Sequence, residues 1–154
     1  MKIKILMVCL GNICRSPLAE GILKSKLDPE KYTVASCGTS NYHIGNKPDV
    51  RSIEISKKYN IDISKQRAAQ FNKSDFTTYD YIYVMDKSNY QNIIQLTDKN
   101  QDKNKVNLIL NELYPNENLE VPDPYYGGSE GFENVYQMLN KACNHIAHKL
   151  EKQH

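Results

Sequence analysis

Apolar residues in this chain fall into short runs separated by longer amphipathic segments, and this alternation predicts strands followed by helices. Residues 3–8 form the first run, which is nearly all apolar and therefore suits a strand buried on both faces of a sheet. Three later runs have the length and the β-branched or aromatic content of strands. They lie at 32–36, 80–85 and 106–110.

Helical periodicity is clearest near the end of the chain, where apolar residues recur at spacings of three and four and form one stripe. The stripe consists of Phe132, Val135, Tyr136, Leu139, Cys143, Ile146 and Leu150. Ser129, Glu130 and Glu133 favour the start of a helix there, because its free N–H groups attract polar oxygens and negative charge. We therefore predict a long C-terminal helix.

Shorter helices are predicted at 17–27, 48–59 and 87–96, where the apolar pattern is also helical. Ser16 is a suitable N-cap for the first of them and Pro17 a suitable first helical residue. Asn60 is a suitable end for the second. The polar segments 98–105 and 114–120 are predicted to be surface loops.

Strands that alternate with helices indicate one α/β domain over residues 1–154, built on a parallel sheet. In such sheets, ligands bind beyond the carboxyl ends of the strands. The loop that follows the first strand is therefore the first place to look for a functional site.

Charge and targeting signals narrow the classes of function. The net charge of +2 is too small to indicate binding to nucleic acid or to a membrane surface. The first apolar run is broken at Gly11 and Asn12, so it is a poor signal peptide and too short to span a bilayer. We expect a monomeric cytoplasmic protein whose four cysteines are reduced thiols, in a spacing that matches no zinc site.

The loop after the first strand, residues 9–17, reads CLGNICRSP and has the composition of an anion site. A loop between a strand end and a helix start points several backbone N–H groups into one concavity, and the helix N-terminus adds partial positive charge. Such a field binds phosphate and also favours the thiolate form of Cys9. Arg15 can donate to two phosphate oxygens at once, which a lysine could not do.

Other residues of the loop fit the same use. Gly11 permits a close approach of the backbone, and Asn12 tolerates left-handed geometry and can tie the loop to itself. Ser16 can donate a hydrogen bond to the thiolate. A cysteine and an arginine six positions apart are weak evidence alone, but the strand, glycine, asparagine and helix around them make coincidence improbable.

Residues 9–17 resemble the signature of the low molecular weight protein tyrosine phosphatases, and the similarity extends over essentially the whole chain. Residues 123–126, which read DPYY, resemble the family's general-acid loop. Segments 45–49, 78–82 and 85–89 resemble its variable loop, its central strand and the turn that follows. The resemblance implies a three-layer α/β/α fold of flavodoxin-like or Rossmann-like topology with a four-stranded parallel sheet, and no metal or cofactor.

The resemblance also implies a role for each site residue. Cys9 would attack phosphorus, Arg15 would bind the phosphate, and Asp123 would protonate the departing tyrosine oxygen and then activate water. The expected substrates are tyrosine-phosphorylated proteins or aryl phosphates. The phosphate-binding loop would be formed by Leu10, Gly11, Asn12, Ile13, Cys14 and Ser16, and the slot for the phenyl ring by Tyr42, Tyr125 and Tyr126.

Several of these residues also have a simpler interpretation. Asp123 before a proline is a common turn former, and Cys14 could be a small packing residue. The family commonly uses the second loop cysteine to trap an oxidised nucleophile as a disulfide, which is the interpretation we favour for Cys14. Cys37 and Cys143 are predicted to be core residues. The exposed-face histidines of the last helix, His145 and His148, are predicted to be solvated.

Gln66 departs from the family pattern. A histidine often stands at this position and supports the loop asparagine. Gln66 could replace that hydrogen bond but cannot titrate, so the stiffness of the loop and the pH profile are open at this point.

Three rival functions can be weighed. Arsenate reductases of this fold need further cysteines near the middle of the chain, and residues 38–142 contain none. Phosphoarginine phosphatases tend to carry threonine where this chain has Ile13, whose apolar side chain suits an aromatic ring. A non-catalytic phosphotyrosine-binding module would not need both Cys9 and Asp123. General hydrolysis of small aryl phosphates stays open, since the same site would perform it.

Overall fold

The computed structural model describes Met1–His154, except for the side chains of Tyr126 and Ser129. Four strands form its sheet: β1 (Ile3–Cys9), β2 (Tyr32–Gly38), β3 (Tyr81–Val84) and β4 (Val106–Leu108). The six α-helices are α1 (Arg15–Lys26), α2 (Val50–Lys58), α3 (Asp75–Thr78), α4 (Lys87–Ile94), α5 (Asn100–Lys103) and α6 (Gly128–Gln153). Two 3₁₀ turns span Ile109–Glu112 and Pro124–Tyr126.

The sheet is entirely parallel, with the strand order β2-β1-β3-β4. Cys9 pairs with Gly38 at the end of β1, and Val8 pairs with Val84 at the end of β3. The carboxyl ends of all four strands therefore meet at one edge, and β1 is central. The order changes direction at β1, which is where ligands bind in open α/β sheets.

Helices cover both faces of the sheet, as predicted. Ile5 and Met7 of β1 pack into a core shared with α1 and α6, whereas Leu6 and Val8 point into the opposite core. This alternation follows from the two-residue period of a strand. The fold is thus the predicted three-layer α/β/α arrangement.

The last helix also follows the prediction, and every residue of its predicted apolar stripe is buried. Glu130 lies in its first turn. The side chain of Ser129, which was also expected to favour the start of this helix, lies outside the described residues. The stripe packs α6 against α1, so the helix that follows the loop after β1 is supported along its buried side.

The predicted start of α1 was wrong. The helix begins at Arg15, and Cys14 occupies the N-cap position without a side-chain cap. Ser16 lies inside the first turn, where its hydroxyl bonds to Cys9 and Asn12 instead of capping. Pro17 is the third helical residue, which costs no hydrogen bond because the first four N–H groups of a helix have no partner within it.

Other elements also differ from the prediction: most bounds shift by one or two residues, and α3 was not predicted. β4 ends at Leu108, because the backbone turns into the 3₁₀ segment Ile109–Glu112. The predicted loop 98–105 contains α5, which is anchored by a buried hydrogen bond of 2.7 Å from the Thr97 hydroxyl to Asp102. In the part of the chain that the structure describes, no helix has both the length and the apolar character needed to cross a bilayer.

Candidate active site

A cavity of about 340 Å³ opens at the carboxyl edge of the sheet, directly above the end of β1. It is lined by Cys9, Leu10, Gly11, Ile13, Cys14, Arg15, Tyr42, His43, Asp123 and Tyr125. The structure therefore brings together, from distant parts of the chain, the loop after β1, the turn near residue 43 and the loop near residue 123. His43 is the one lining residue that the sequence analysis did not identify.

Cys9 is the last residue of β1 and its side chain is buried at the floor of the cavity. The Oγ atom of Ser16 lies 3.0 Å from Cys9 Sγ, and the backbone N–H of Asn12 donates to the same sulfur at 3.3 Å. Both groups can stabilise negative charge on sulfur, and α1 begins only a few residues away. The predicted hydrogen bond between Ser16 and Cys9 is present.

Asn12 fixes the shape of the loop from inside. Its φ angle of 58° lies in the left-handed region, which asparagine tolerates better than most residues. Its Nδ2 donates to Ser16 Oγ at 2.7 Å and to Ser36 Oγ at 3.0 Å, and its Oδ1 accepts from the N–H of Ala69 at 3.0 Å. Because Nδ2 donates to Ser16, the hydroxyl hydrogen of Ser16 is available to Cys9.

Two residues that the sequence analysis missed continue this network. Ser36 on β2 donates to a carboxylate oxygen of Glu20 at 2.7 Å, and Glu20 is buried on α1. Ser36 lies in a strand and Glu20 in a helix, so neither has a local signal of function in the sequence. The pairing of β1 with β2 places Ser36 within reach of Asn12, and the position of Glu20 on α1 places its carboxylate within reach of Ser36.

Backbone contacts hold the loop against its neighbours. The N–H groups of Thr39 and Ser40 donate to the carbonyls of Cys9 and Leu10, each at 2.9 Å. Gly38 lies so close that an added Cβ would be 2.6 Å from the Leu10 carbonyl oxygen. Gly11 is restricted less severely, since its added Cβ would meet the His43 ring at 2.9 Å and a side chain can move. The close approach predicted at Gly11 is therefore between its backbone and the side chain of His43.

Arg15 lies at the start of α1 and is buried beside the cavity. Its Nη1 donates to Asp86 Oδ2 at 2.7 Å and to the carbonyl oxygen of Val121 at 2.8 Å. Asp86 caps α4 through a reciprocal pair of hydrogen bonds with Asn89. These contacts orient the guanidinium at the cavity wall, where its remaining donors can bind an anion.

Asp123 lies in an exposed loop and lines the same cavity as Cys9 and Arg15. Its Oδ1 accepts a hydrogen bond from the N–H of Tyr125 at 3.0 Å and so begins the 3₁₀ turn. The turn-forming interpretation is therefore confirmed, and the catalytic role of Asp123 stays a prediction. The turn bond fixes one carboxylate oxygen and leaves the other available to a ligand.

The mouth of the cavity is aromatic. Tyr42 is 76% exposed and Tyr125 is 49% exposed, and both line the cavity. The third predicted slot residue, Tyr126, has a side chain outside the described residues. Tyr42 belongs to a turn that is closed by the N–H of Asn46 on the His43 carbonyl, with Gly45 in the left-handed region.

Comparison with known proteins identifies the class of molecule. The sequence model of one family, described as low molecular weight phosphotyrosine protein phosphatase, matches residues 4–154. This chain belongs to that family. The members are enzymes, so the chain is a phosphatase.

Individual family members are similar to this chain over most of their length. The chain is 42% identical to the low molecular weight phosphotyrosine protein phosphatase of Schizosaccharomyces pombe, over 89% of this chain and 90% of that one. It is 40% identical to the human enzyme, over 97% and 95%. A crystal structure of a protein tyrosine phosphatase from Entamoeba histolytica, with Hepes in its active site, matches with a TM-score of 0.91, at 37% identity and 99% coverage of both chains.

Within this family, the substitution at position 66 has a structural explanation. The sequence analysis allowed a hydrogen bond from Gln66 to Asn12, but the structure shows a different partner. The Nε2 of Gln66 donates to the backbone carbonyl oxygen of Pro17 at 3.2 Å. The side-chain Oδ1 of Asn12 accepts its hydrogen bond from the backbone N–H of Ala69 instead. The asparagine network of this family member is therefore complete without a side chain at position 66.

The cysteines differ in their surroundings. Burial, followed by the charges of Asp49, Cys9 and Asp123, raises the pKa of Cys14 to about 12, so its thiol is protonated near neutral pH. Cys37 and Cys143 are buried in the two cores, as predicted for packing residues, and burial raises the pKa of each. His145 and His148 are exposed, and none of the described His, Cys, Asp and Glu side chains form a group of three or more suited to a metal.

Proposed function

We propose that this phosphatase hydrolyses phosphotyrosine through a phosphocysteine intermediate on Cys9, with Arg15 as the phosphate ligand and Asp123 as the general acid and base. The observation that carries the proposal is the convergence of these three side chains on one cavity at the end of β1. The family description and the names of the relatives, which specify phosphotyrosine, support the choice of substrate.

The first step would transfer the phosphoryl group to the enzyme. The Cys9 thiolate attacks phosphorus, so that an S–P bond forms as the bond from phosphorus to the tyrosine oxygen breaks. Arg15 and the N–H groups of the loop stabilise the charge on the equatorial oxygens. Asp123, protonated in this step, gives its proton to the departing phenolate, which leaves as tyrosine.

The second step would regenerate the enzyme. The ionised Asp123 takes a proton from water, and the water oxygen attacks phosphorus as the S–P bond breaks. The products are inorganic phosphate and the Cys9 thiolate, which the Ser16 hydroxyl and the Asn12 N–H stabilise. No metal or cofactor has a role in either step.

The lining of the cavity favours an aryl phosphate as substrate over phosphoarginine. Leu10, Ile13, Tyr42 and Tyr125 give the cavity apolar walls, which suit a phenyl ring and would disfavour the polar guanidinium of phosphoarginine. Hydrolysis of small aryl phosphates follows from the same site. A phosphotyrosine-binding module without catalysis would not need the paired nucleophile and acid.

The decisive experiment is hydrolysis of p-nitrophenyl phosphate between pH 5 and 8 by the wild type and two variants. We expect Cys9→Ser to abolish turnover and Asp123→Ala to lower it by about 10²-fold or more. Cys143→Ala is the matched control, because it removes a thiol that lies in the core and outside the cavity. Full activity of Cys9→Ser would exclude the phosphocysteine mechanism.

Two further assays separate the remaining alternatives. Phosphotyrosine and phosphoarginine peptides should be compared with fully reduced enzyme, and faster hydrolysis of phosphoarginine would exclude our substrate assignment. Binding of phosphotyrosine without turnover would indicate a binding module. We also propose that the enzyme is a cytoplasmic monomer, which size-exclusion chromatography with light scattering and cell fractionation would test.

A further inference from the structure

Arg51 links the phosphate-binding loop to the loop that carries Asp123. It lies in the first turn of α2 and contributes no atom to the active-site cavity. Its side chain is 37% exposed and reaches from Asp49, next to the phosphate-binding loop, to Tyr125 in the Asp123 loop. No local feature of the sequence distinguishes it from a solvated surface arginine.

One end of this link is fixed to the phosphate-binding loop. Arg51 Nε donates to Asp49 Oδ1 at 3.1 Å and Nη2 donates to Oδ2 at 3.0 Å, so the two side chains form a bidentate pair. Asp49 is itself the N-cap of α2, and its N–H donates to the Ile13 carbonyl at 2.7 Å. The hydrogen bonds with Arg51 lower the pKa of Asp49, so the carboxylate of the pair is ionised.

The other end holds Tyr125. Arg51 Nη1 donates to the Tyr125 carbonyl oxygen at 3.3 Å, and the guanidinium lies 5.0 Å from the centre of the Tyr125 ring. It also lies 4.7 Å from the centre of the buried Phe132 ring on α6. The guanidinium is therefore within cation–π distance of both aromatic rings.

Tyr125 in turn orients Asp123, because its N–H donates to Asp123 Oδ1 at 3.0 Å. On the other side of Asp123, two hydrogen bonds anchor Val121: its N–H donates to the Met85 carbonyl, and its own carbonyl accepts from Arg15. Asp123 thus lies midway between two anchored residues, and each anchor includes an arginine. Loss of either anchor would release one side of the loop.

We propose that Arg51 is a positioning residue that holds Asp123 at proton-transfer distance from the leaving-group oxygen. The proposal rests on the function proposed above for Asp123. Arg51 acts through Tyr125 and does not touch the substrate. An arginine is needed because its planar fork can bind the Asp49 carboxylate and the Tyr125 carbonyl at the same time while lying against the rings.

Positioning of an acid has a distinctive kinetic signature. Phenyl phosphate releases a basic phenolate that needs a proton as it leaves, whereas 2,4-dinitrophenyl phosphate releases a stable phenolate that does not. A displaced Asp123 therefore slows the first substrate and spares the second. General destabilisation, or the loss of a positive charge that attracts the substrate, would affect both substrates alike.

The test measures kcat/KM for both substrates in Arg51→Met, Arg51→Lys and the control Lys58→Met. Lys58 also joins α2 to α6, through Glu133 at 2.6 Å, but it does not contact the Asp123 loop. We expect Arg51→Met to lose about tenfold with phenyl phosphate and less than about twofold with 2,4-dinitrophenyl phosphate. Arg51→Lys should show the same selective loss, since it keeps the charge but lacks the fork.

Asp123→Ala separates failure of this inference from failure of the proposed function. If Asp123→Ala shows the selective loss and Arg51→Met does not, the positioning role is wrong and the proposed mechanism stands. If Asp123→Ala itself shows no selectivity between the substrates, the acid assignment fails first. An equal loss on both substrates in Arg51→Met, restored in Arg51→Lys, would show a purely electrostatic role and overturn the proposal. Circular dichroism of each variant at the assay temperature verifies that the protein is folded.

Discussion

The carboxylate of Asp86 lies 2.7 Å from the guanidinium of Arg15, across the boundary between the β3–α4 turn and the start of α1. Asp86 also caps α4 with its other oxygen, so one carboxylate fixes both a helix end and the orientation of the proposed phosphate ligand. Arg15 also donates a hydrogen bond to the carbonyl oxygen of Val121. The guanidinium is therefore oriented before any substrate binds.

Replacement of Arg15 by lysine should show that orientation, and not charge alone, is required. A single ammonium group cannot satisfy Asp86 and Val121 and still present two parallel donors to phosphate. We expect Arg15→Lys to lower kcat/KM for p-nitrophenyl phosphate by about 10²-fold or more, since one misplaced donor of this kind costs that much. Steady-state kinetics with the control Arg67→Lys, which changes an exposed arginine, would test it. Activity within threefold of the wild type would contradict the assigned role.

The hydrogen bonds of Asn12 should be separable from its unusual backbone. Asn12→Gly keeps the φ of 58° without strain but removes the bonds to Ser16, Ser36 and Ala69. Ser16 is buried, and a buried partner left unpaired costs about 1–3 kcal/mol, so chemical denaturation should show a loss of stability. Activity should also fall, because the Ser16 hydroxyl loses the bond that directs it to Cys9.

Asn12→Ala provides the matched comparison. It removes the same side-chain hydrogen bonds as Asn12→Gly but retains a Cβ in the left-handed region, which costs about 1–2 kcal/mol more than glycine there. We expect the order of stability wild type, Gly, Ala in urea denaturation. Equal stability of Asn12→Gly and the wild type would show that the network contributes little.

Gly38→Ala should damage the active site from the neighbouring strand. The added methyl group would lie 2.6 Å from the Leu10 carbonyl and 3.0 Å from the Asn12 N–H nitrogen, both of them backbone atoms that cannot rotate away. Overpacking of this kind costs about 1–3 kcal/mol, and the phosphate-binding loop has to move to relieve it. We expect reduced stability together with at least about tenfold lower kcat/KM. Gly127→Ala is the control, because its nearest contact would be an ordinary 3.5 Å; equal effects of the two variants would contradict the explanation.

The redox role expected for Cys14 should depend on pH in a defined direction. Peroxide would convert the Cys9 thiolate to a sulfenic acid, and the Cys14 thiolate would then attack that sulfur to form a disulfide as the S–O bond breaks and hydroxide leaves, taking up a proton to become water. Because the pKa of Cys14 is raised to about 12, the thiolate fraction rises with pH throughout the neutral range. Disulfide formation should therefore accelerate by up to about tenfold per pH unit between pH 6 and 8. Peptide mass spectrometry after quenching would measure it.

The control for that experiment is Cys14→Ser, which should recover less activity when thiol is added after peroxide. Burial is the main cause of the raised pKa and persists after Cys9 is oxidised, so the expected pH dependence does not rely on the charge of Cys9. A pH-independent rate, or equal recovery of both proteins, would contradict a resolving role for Cys14.

The fold could be predicted from sequence because its signals are periodic and local. The apolar stripe of α6 and the buried run of β1 each indicate an element whose faces are covered, and both predictions were confirmed. The predicted start of α1 was wrong for a physical reason. Ser16 is a good capping residue in isolation, but its hydroxyl is used by Cys9 and Asn12, and this competition is invisible in the local sequence.

From local patterns alone, the proposed active site could be predicted only where it is contiguous, and Tyr42, Asp123 and Tyr125 were predicted through the family resemblance. Residues 9–16 are contiguous, so their spacing indicates their chemistry. Ser36 and Asp86 reach the site through the pairing of β2 and β3 with β1, and Glu20 reaches it through its hydrogen bond with Ser36, none of which single-sequence patterns encode. Gln66 shows the opposite error, since family resemblance suggested a contact with Asn12 that the backbone of Ala69 makes instead.

The turn that carries Tyr42 and His43 is closed by main-chain hydrogen bonds, from Asn46 to His43 and from Gly45 to Ala68. Because those bonds do not depend on side chains, Tyr42, which is exposed at the cavity mouth, can be exchanged without disturbing the turn. The neighbouring His43 is less free to change, because its ring lies against Gly11 of the loop beneath. Molecular evolution can therefore retune through position 42 which phosphorylated partners are accepted while the phosphate chemistry stays constant. A library randomised at position 42 would exploit the same independence to redirect the enzyme towards new targets.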